Sequence, residues 1–213
     1  MNCIIIADRY AKGMKSKGCY GLIKINHKAN LFETQYRAIK KVFPRSKIIY
    51  VYGFENKKIQ RYFNKNYQDV IAIENKAYNE TGFVNSIRCA SDYLDQNCLI
   101  FFGDLAIKPE MFKDFNRQKA HIYISKKNHN SLGCIIDNDK INNIAYGLDN
   151  YLLNMYYINK KNIETFSYYI NENKLKNYFL FEIINKMIDQ GVEFLPSIQN
   201  NKQIISINKK TGV

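Results

Sequence analysis

The chain has 213 residues, 46% hydrophobic and 14% aromatic, with 32 Lys and Arg against 19 Asp and Glu for a formal net charge of +13. That length suits one domain with a sizeable core, and the apolar and aromatic content excludes a disordered chain despite the many Asn and Lys residues. No run approaches the roughly 18 apolar residues of a membrane span, and the opening apolar stretch is too short for a signal peptide, so a cytoplasmic protein with no membrane partner is expected.

Cys3 to Ala7 reads as a short buried strand, and Asp8 to Tyr20, basic and containing Gly13 and Gly18, as a loop leading into Leu22-Ile23-Lys24-Ile25. A helix is predicted over Leu31 to Phe43. Phe32, Tyr36, Ile39 and Phe43 recur at helical spacing, Asn30 and Glu33 can form a capping box, and Pro44 lies just past the end. Lys47 to Tyr52, ending in Gly53, is a second strand, and the resulting βαβ unit implies parallel pairing and a right-handed crossover. Glu55 to Phe63 reads as a short helix and Val70 to Glu74 as a third strand. Phe83 to Leu94 is predicted helical, with Val84, Ile87, Ala90 and Leu94 on one face. It feeds the apolar strand Leu99-Ile100-Phe101-Phe102-Gly103-Asp104-Leu105, which delivers the Asp104 carboxylate to a sheet edge, where ligands bind in α/β folds. Beyond it, Ile122 to Ile124, Leu132 to Ile136, Ile141 to Tyr146 and Tyr151 to Ile158 are strand candidates without helices between them, the pattern of an antiparallel addition. Helices near Lys161 to Ile170 and Lys174 to Gln190, and a last strand from Gln203 to Ile207, close the chain. The expected fold class is α/β, a mostly parallel sheet flanked by helices with an antiparallel C-terminal addition, as one domain over residues 1–213.

The run Ile4-Ile5-Ile6-Ala7-Asp8-Arg9-Tyr10-Ala11-Lys12-Gly13-Met14, the lysine-containing turn that follows, and the strand end at Gly103-Asp104 together resemble the nucleotidyltransferase family that joins an NTP to a sugar phosphate or choline phosphate. The resemblance covers most of the chain and implies that family's Rossmann-like, GT-A-like sheet. In the family a strand enters Ala-Ala-Gly-x-Gly-x-Arg-Met, and a Lys precedes a Leu some residues later. The glycines let backbone N–H groups approach the NTP phosphates, and the Arg and Lys neutralise the leaving pyrophosphate. Here the two glycine positions hold Arg9 and Ala11, the Arg position holds Gly13 and the Lys position holds Tyr20, so that only Ala7 and Met14 remain. A side chain at a glycine position fills space needed by the phosphates. Each lost charge at the transition state typically costs about 2–4 kcal/mol, roughly a hundred- to thousand-fold in rate. The expectation is a nucleotidyltransferase-like protein that has lost catalysis, needs no cofactor, and serves as a binding or structural component of a larger assembly. Lys12, Lys15 and Lys17 could supply replacement charge from new positions, which leaves an active, divergent, magnesium-dependent sugar-phosphate or choline-phosphate nucleotidyltransferase as the alternative.

The resemblance also implies that Thr81 to Arg88 contacts the base, with Ser86 at the serine commonly found there. Ala7, Lys12, Lys15, Thr81 and Ser86 are accordingly the candidates for holding a nucleotide, weakly. Asp104 falls at the first magnesium-ligand position and is the catalytic candidate if the protein is active. Asn208, in Ser206-Ile207-Asn208-Lys209, falls where the family's second acidic ligand should stand, so a negative charge is lost and Lys209 adds a positive one beside it.

The charge is uneven: residues 1–60 hold 13 Lys and Arg against 3 acids, residues 61–150 hold 11 against 11, and residues 151–213 hold 8 against 5. A positive first third attracts polyanions. An acidic protein partner or polyanion docking through residues 9–24 is expected, with a basic nucleic-acid-associated protein as the second alternative. The five cysteines, at 3, 19, 89, 98 and 134, show neither a Cys-x-x-Cys pair nor clustering with His27, His121 or His129, so they read as reduced thiols rather than zinc ligands. The Tyr pairs at 156–157 and 168–169 read as core.

Overall fold

The computed structural model describes residues 1–10, 15–126 and 132–199 and the backbone of 205–206. In chain order its elements are β1 (Asn2–Ile6), β2 (Lys24–Asn26), β3 (Ala29–Asn30), α1 (Leu31–Val42), β4 (Lys47–Tyr52), α2 (Asn56–Asn66), β5 (Val70–Glu74), α3 (Phe83–Arg88), β6 (Cys98–Phe102) and β7 (Leu105–Ala106). They continue with β8 (Ala120–Ser125), β9 (Leu132–Asp137), β10 (Lys140–Tyr146), β11 (Tyr151–Ile158), α4 (Ile163–Asn171), α5 (Leu180–Asp189), β12 (Phe194–Gln199) and β13 (Ile205–Ser206).

Seven strands form one sheet in the order β12-β8-β11-β6-β1-β4-β5. β6, β1, β4 and β5 are parallel, β11 runs antiparallel to both β6 and β8, and β12 is parallel to β8. The expected α/β architecture is therefore present, with β9 and β10 as a separate antiparallel ribbon. All five residues of β1 are buried because helices cover both faces of the sheet, which is why its sequence is a continuous apolar run. Its side chains alternate between two cores. Ile4 and Ile6 join Ile49, Val51 and Ile100 under α3, α4 and α5, whereas Cys3 and Ile5 join Ile48, Tyr50 and Phe101 under α1 and α2. The capping box of α1 forms as read from the sequence: Asn30 Oδ1 accepts from the Glu33 N–H at 2.9 Å, and Glu33 Oε2 accepts from the Asn30 N–H at 3.0 Å.

Several boundaries differ from expectation. The helix predicted over Phe83 to Leu94 ends at Arg88, because the bonds from Ala90 N–H to the Ile87 carbonyl and from Leu94 N–H to the Ser91 carbonyl tighten the chain into 3-10 turns. Val84, Ile87, Ala90 and Leu94 nevertheless all stay buried. The final helix starts at Leu180 rather than Lys174. Arg88 holds the preceding connection open by donating to the Ile170 and Glu172 carbonyls, both at 2.8 Å. The strand β12 went unrecognised in the sequence because Pro196 sits inside it; its place on the sheet edge makes the missing N–H tolerable. Of the strand expected over Gln203 to Ile207, the described part, β13, pairs with β7 outside the main sheet, and the rest lies outside the described residues. Tyr156 and Tyr157 are core as read, but Tyr168 is 65% exposed. Among the described residues no helix is long and apolar enough to cross a membrane.

Candidate functional site

β1 and β6 are parallel neighbours, with Ile6 opposite Phe102, so both end at the same sheet edge and present Ala7-Asp8 beside Gly103-Asp104. The two strand ends nearly touch. The Gly103 N–H donates to the Ile6 carbonyl at 2.7 Å, and a Cβ on Gly103 would lie 2.4 Å from that of Ala7, so this junction admits only small residues. Gln35 of α1, fully buried, secures the turn by donating from Nε2 to the Gly103 carbonyl at 3.1 Å and the Leu105 carbonyl at 2.7 Å. The peptide before Asp104 and the Leu105–Ala106 peptide beyond it are thereby fixed. On the other side of the turn, Ser206 of β13 pairs with Leu105.

A cavity of about 310 Å³ opens at this edge. Asp8, Arg9, Asp104 and Asn154 supply its polar lining, and Tyr10, Tyr20, Phe83, Phe102, Tyr146, Tyr156, Phe179 and Phe181 its aromatic walls. The mixture of many apolar faces with a few converging polar groups is that of a small-molecule site. Asp8 is 1% exposed, and its Oδ2 accepts from Ser86 Oγ at 2.6 Å and from Asn75 Nδ2 at 2.7 Å. Arg9 turns inward. Its Nη2 donates to the Thr81 carbonyl, its guanidinium lies 4.7 Å from the centre of the Phe83 ring, and its buried Nε, 4.0 Å from Asp8 Oδ1, makes no hydrogen bond. Phe83 in turn stacks on Phe102, with centroids 4.5 Å apart and planes 16° apart. Where the loop returns, the Cys19 N–H donates to Glu55 Oε2 at 3.0 Å, and burial pushes the Cys19 thiol up to about 12.

Of the residues singled out in the sequence, Asp104 lines the cavity, Ala7 is buried against Gly103 beside it, and Ser86 is fully buried with its hydroxyl on Asp8. Thr81 meets Arg9 through its carbonyl, while its hydroxyl donates to the Ala77 carbonyl at 2.9 Å. Lys15 is exposed, its ammonium 5.7 Å from the centre of the Tyr10 ring. Lys12 and Asn208 lie outside the described residues. Sequence reasoning missed Asp8, Gln35, Asn75 and Asn154. For Asp8 a signal existed, a carboxylate directly after a fully apolar strand; for the others there was none. As for magnesium, Oδ2 of Asp8 is committed to Ser86 and Asn75, and no group of three metal-ligating side chains exists among the described residues. These residues do not by themselves fit the ion, since one carboxylate makes a poor magnesium site.

No family model matches the sequence, and no curated protein matches it either. Solved structures do. The CTP:phosphocholine cytidylyltransferase from Streptococcus pneumoniae superposes with a TM-score of 0.81 at 14% identity, over 98% of this chain and 93% of that one. The inositol-1-phosphate CTP transferase from T. maritima gives 0.75 at 16% identity, over 98% and 89%. The nucleoside-diphosphate-sugar pyrophosphorylase from Vibrio cholerae gives 0.77 at 11% identity, over 98% and 96%. The chain has the nucleotidyltransferase fold. Likeness at such low identity speaks to architecture, and activity must be argued from the site.

Proposed function

We propose that this nucleotidyltransferase-fold protein performs no nucleotidyl transfer and works as a binding or structural component of a larger assembly, without a cofactor. The observation that carries this reading is Arg9. At the position where the resembled family has its first phosphate-loop glycine stands a long side chain, drawn into the cavity and held there by Thr81 and Phe83. Loss of the family's Arg and Lys at Gly13 and Tyr20 points the same way. The cleft is read as the seat of a small hydroxylated ligand. Asp8, Asp104 and Asn154 offer hydrogen bonds to hydroxyls among aromatic rings. Phe83 has no free face to offer a quaternary ammonium, since one carries Arg9 and the ring is stacked on Phe102. The basic first third, with Lys15 and Lys17 exposed on the same loop, is read as the docking face for an acidic partner or polyanion.

The test is pyrophosphate release. Purified protein with magnesium, each of the four NTPs and a panel of sugar phosphates or choline phosphate should give none above background. A second reading, divergent catalysis through Asp104, draws on the way Gln35 braces the turn around that carboxylate. Turnover that disappears in Asp104→Ala would establish the second reading and sink the first.

A further inference from the structure

The cleft occupies one edge of the sheet. At the opposite edge, where β1, β4 and β8 begin, a second cavity of about 290 Å³ is lined by Met1, Phe43, Pro44, Arg45, Ser46 and Arg117. β8 starts there because β11 runs antiparallel to both β6 and β8, which returns β8 to the direction of β1. The two sites therefore stand apart by at least the length of β1, about 16 Å at ~3.3 Å per residue. The charged lining of this second cavity is two guanidiniums and no carboxylate. Both turns that carry them are pinned. The Phe43 carbonyl accepts from the Ser46 N–H at 3.0 Å and from Ser46 Oγ at 2.8 Å, and Lys40 Nζ donates to the Ser46 carbonyl at 3.1 Å. Across the cavity, buried Tyr157 donates its hydroxyl to the Arg117 carbonyl at 3.0 Å, and buried Asn159 donates from Nδ2 to the Gln118 carbonyl at 2.7 Å. The Arg117 guanidinium lies 5.8 Å from the centre of the Phe43 ring. None of the ion pairs among the described residues involves Arg45 or Arg117. Two like charges are thus held at one cavity with no counter-charge in its wall, and a guanidinium's planar fork matches the oxygens of a phosphate.

We propose that this cavity is a second binding site, for a small phosphate monoester: Arg45 and Arg117 grip the phosphate, and Met1, Phe43 and Pro44 receive the apolar part of the molecule. The site stands independently of how the cleft is read. Phenyl phosphate is the probe, with inorganic phosphate beside it. Each is titrated calorimetrically into wild type, Arg45→Ala, Arg117→Ala and the double variant Arg45→Lys with Arg117→Lys, and amide chemical shifts are followed in the same titrations. Both arginines are exposed, so melting temperatures should stay close to that of wild type.

Wild type should bind phenyl phosphate several-fold more tightly than inorganic phosphate, because the ring buries apolar surface against Phe43 and Pro44. Each alanine variant should bind it about tenfold more weakly, the effect of one charge-assisted contact. The double lysine variant keeps the net charge and should still lose about tenfold, since an ammonium cannot make the bidentate contact. Shifts should concentrate at residues 43–47 and 115–119. Undiminished affinity in the double lysine variant would overturn the site, leaving only a positive field. Shifts confined to residues 7–10 and 102–105 would overturn it by seating the probe in the cleft. Equal affinity for the two probes would overturn the assignment to an ester, and no binding at millimolar concentration would overturn the proposal outright.

Discussion

Gln35→Leu tests the link between helix α1 and the cleft. Gln35 is fully buried and its Nε2 serves two buried carbonyls, of Gly103 and Leu105. Leucine, similar in volume, would leave both carbonyls without that donor, and each buried group left unsatisfied costs about 1–3 kcal/mol. The same change also removes Gln35 Oε1, a buried atom with no hydrogen bond, which returns a similar amount once. The net expectation is a loss of about 1–3 kcal/mol, or roughly 2–12 °C in melting temperature for a chain of this size. Urea unfolding should show a lower midpoint with an unchanged slope. Gln35→Glu gives a signed control. A carboxyl buried against two carbonyls has its pKa raised above the unfolded value of about 4.3, so the variant should approach wild type below that pH and lose stability as pH rises through the folded value. Because the same two bonds hold the turn that carries Asp104, ligand affinity should fall along with stability. Melting of Gln35→Leu within a degree of wild type would refute the bracing role.

Three further outcomes are expected. Nucleosides should bind about as weakly as their triphosphates if the side chains of Arg9 and Ala11, at the resembled family's glycine positions, keep the phosphates from the N–H contacts that normally add most of the affinity; tight, magnesium-dependent NTP binding by calorimetry would contradict this. Association with an acidic partner or polyanion should weaken steeply with salt, because exposed charges are screened over about 8 Å at physiological ionic strength. Lys15→Glu with Lys17→Glu should reduce it without shifting the melting temperature, and an equal loss from reversing Lys161 and Lys174 would mean that net charge alone drives binding. Burial raises the Cys3 and Cys19 thiols from 9.0 to about 12, so the folded state holds them neutral while the unfolded chain ionises. Their contribution is complete below pH 9 and is lost as pH rises from there to about 12, and flat urea midpoints across that window would count against it.

The sheet's centre was legible in the sequence. β1, β4 and β6 are covered on both faces, so their apolar runs carry an unambiguous strand signal, and α1 announces itself through Asn30, Glu33 and Pro44. The departure from the phosphate-loop pattern was equally plain, because Arg9 and Ala11 are local facts of the chain. Where the Arg9 side chain goes was not. Its partners Thr81 and Phe83 are more than 70 residues away, as Ser86 is from Asp8 and Gly103 is nearly so from Gln35. Periodicity and turn residues report on neighbours along the chain, so they predict elements and the edge where a site will form. The hydrogen bonds that complete that site join residues brought together only by the parallel pairing of β1 with β6 and the packing of α1 and α3 on opposite faces. No local pattern encodes such contacts, because each depends on the closure of the whole sheet.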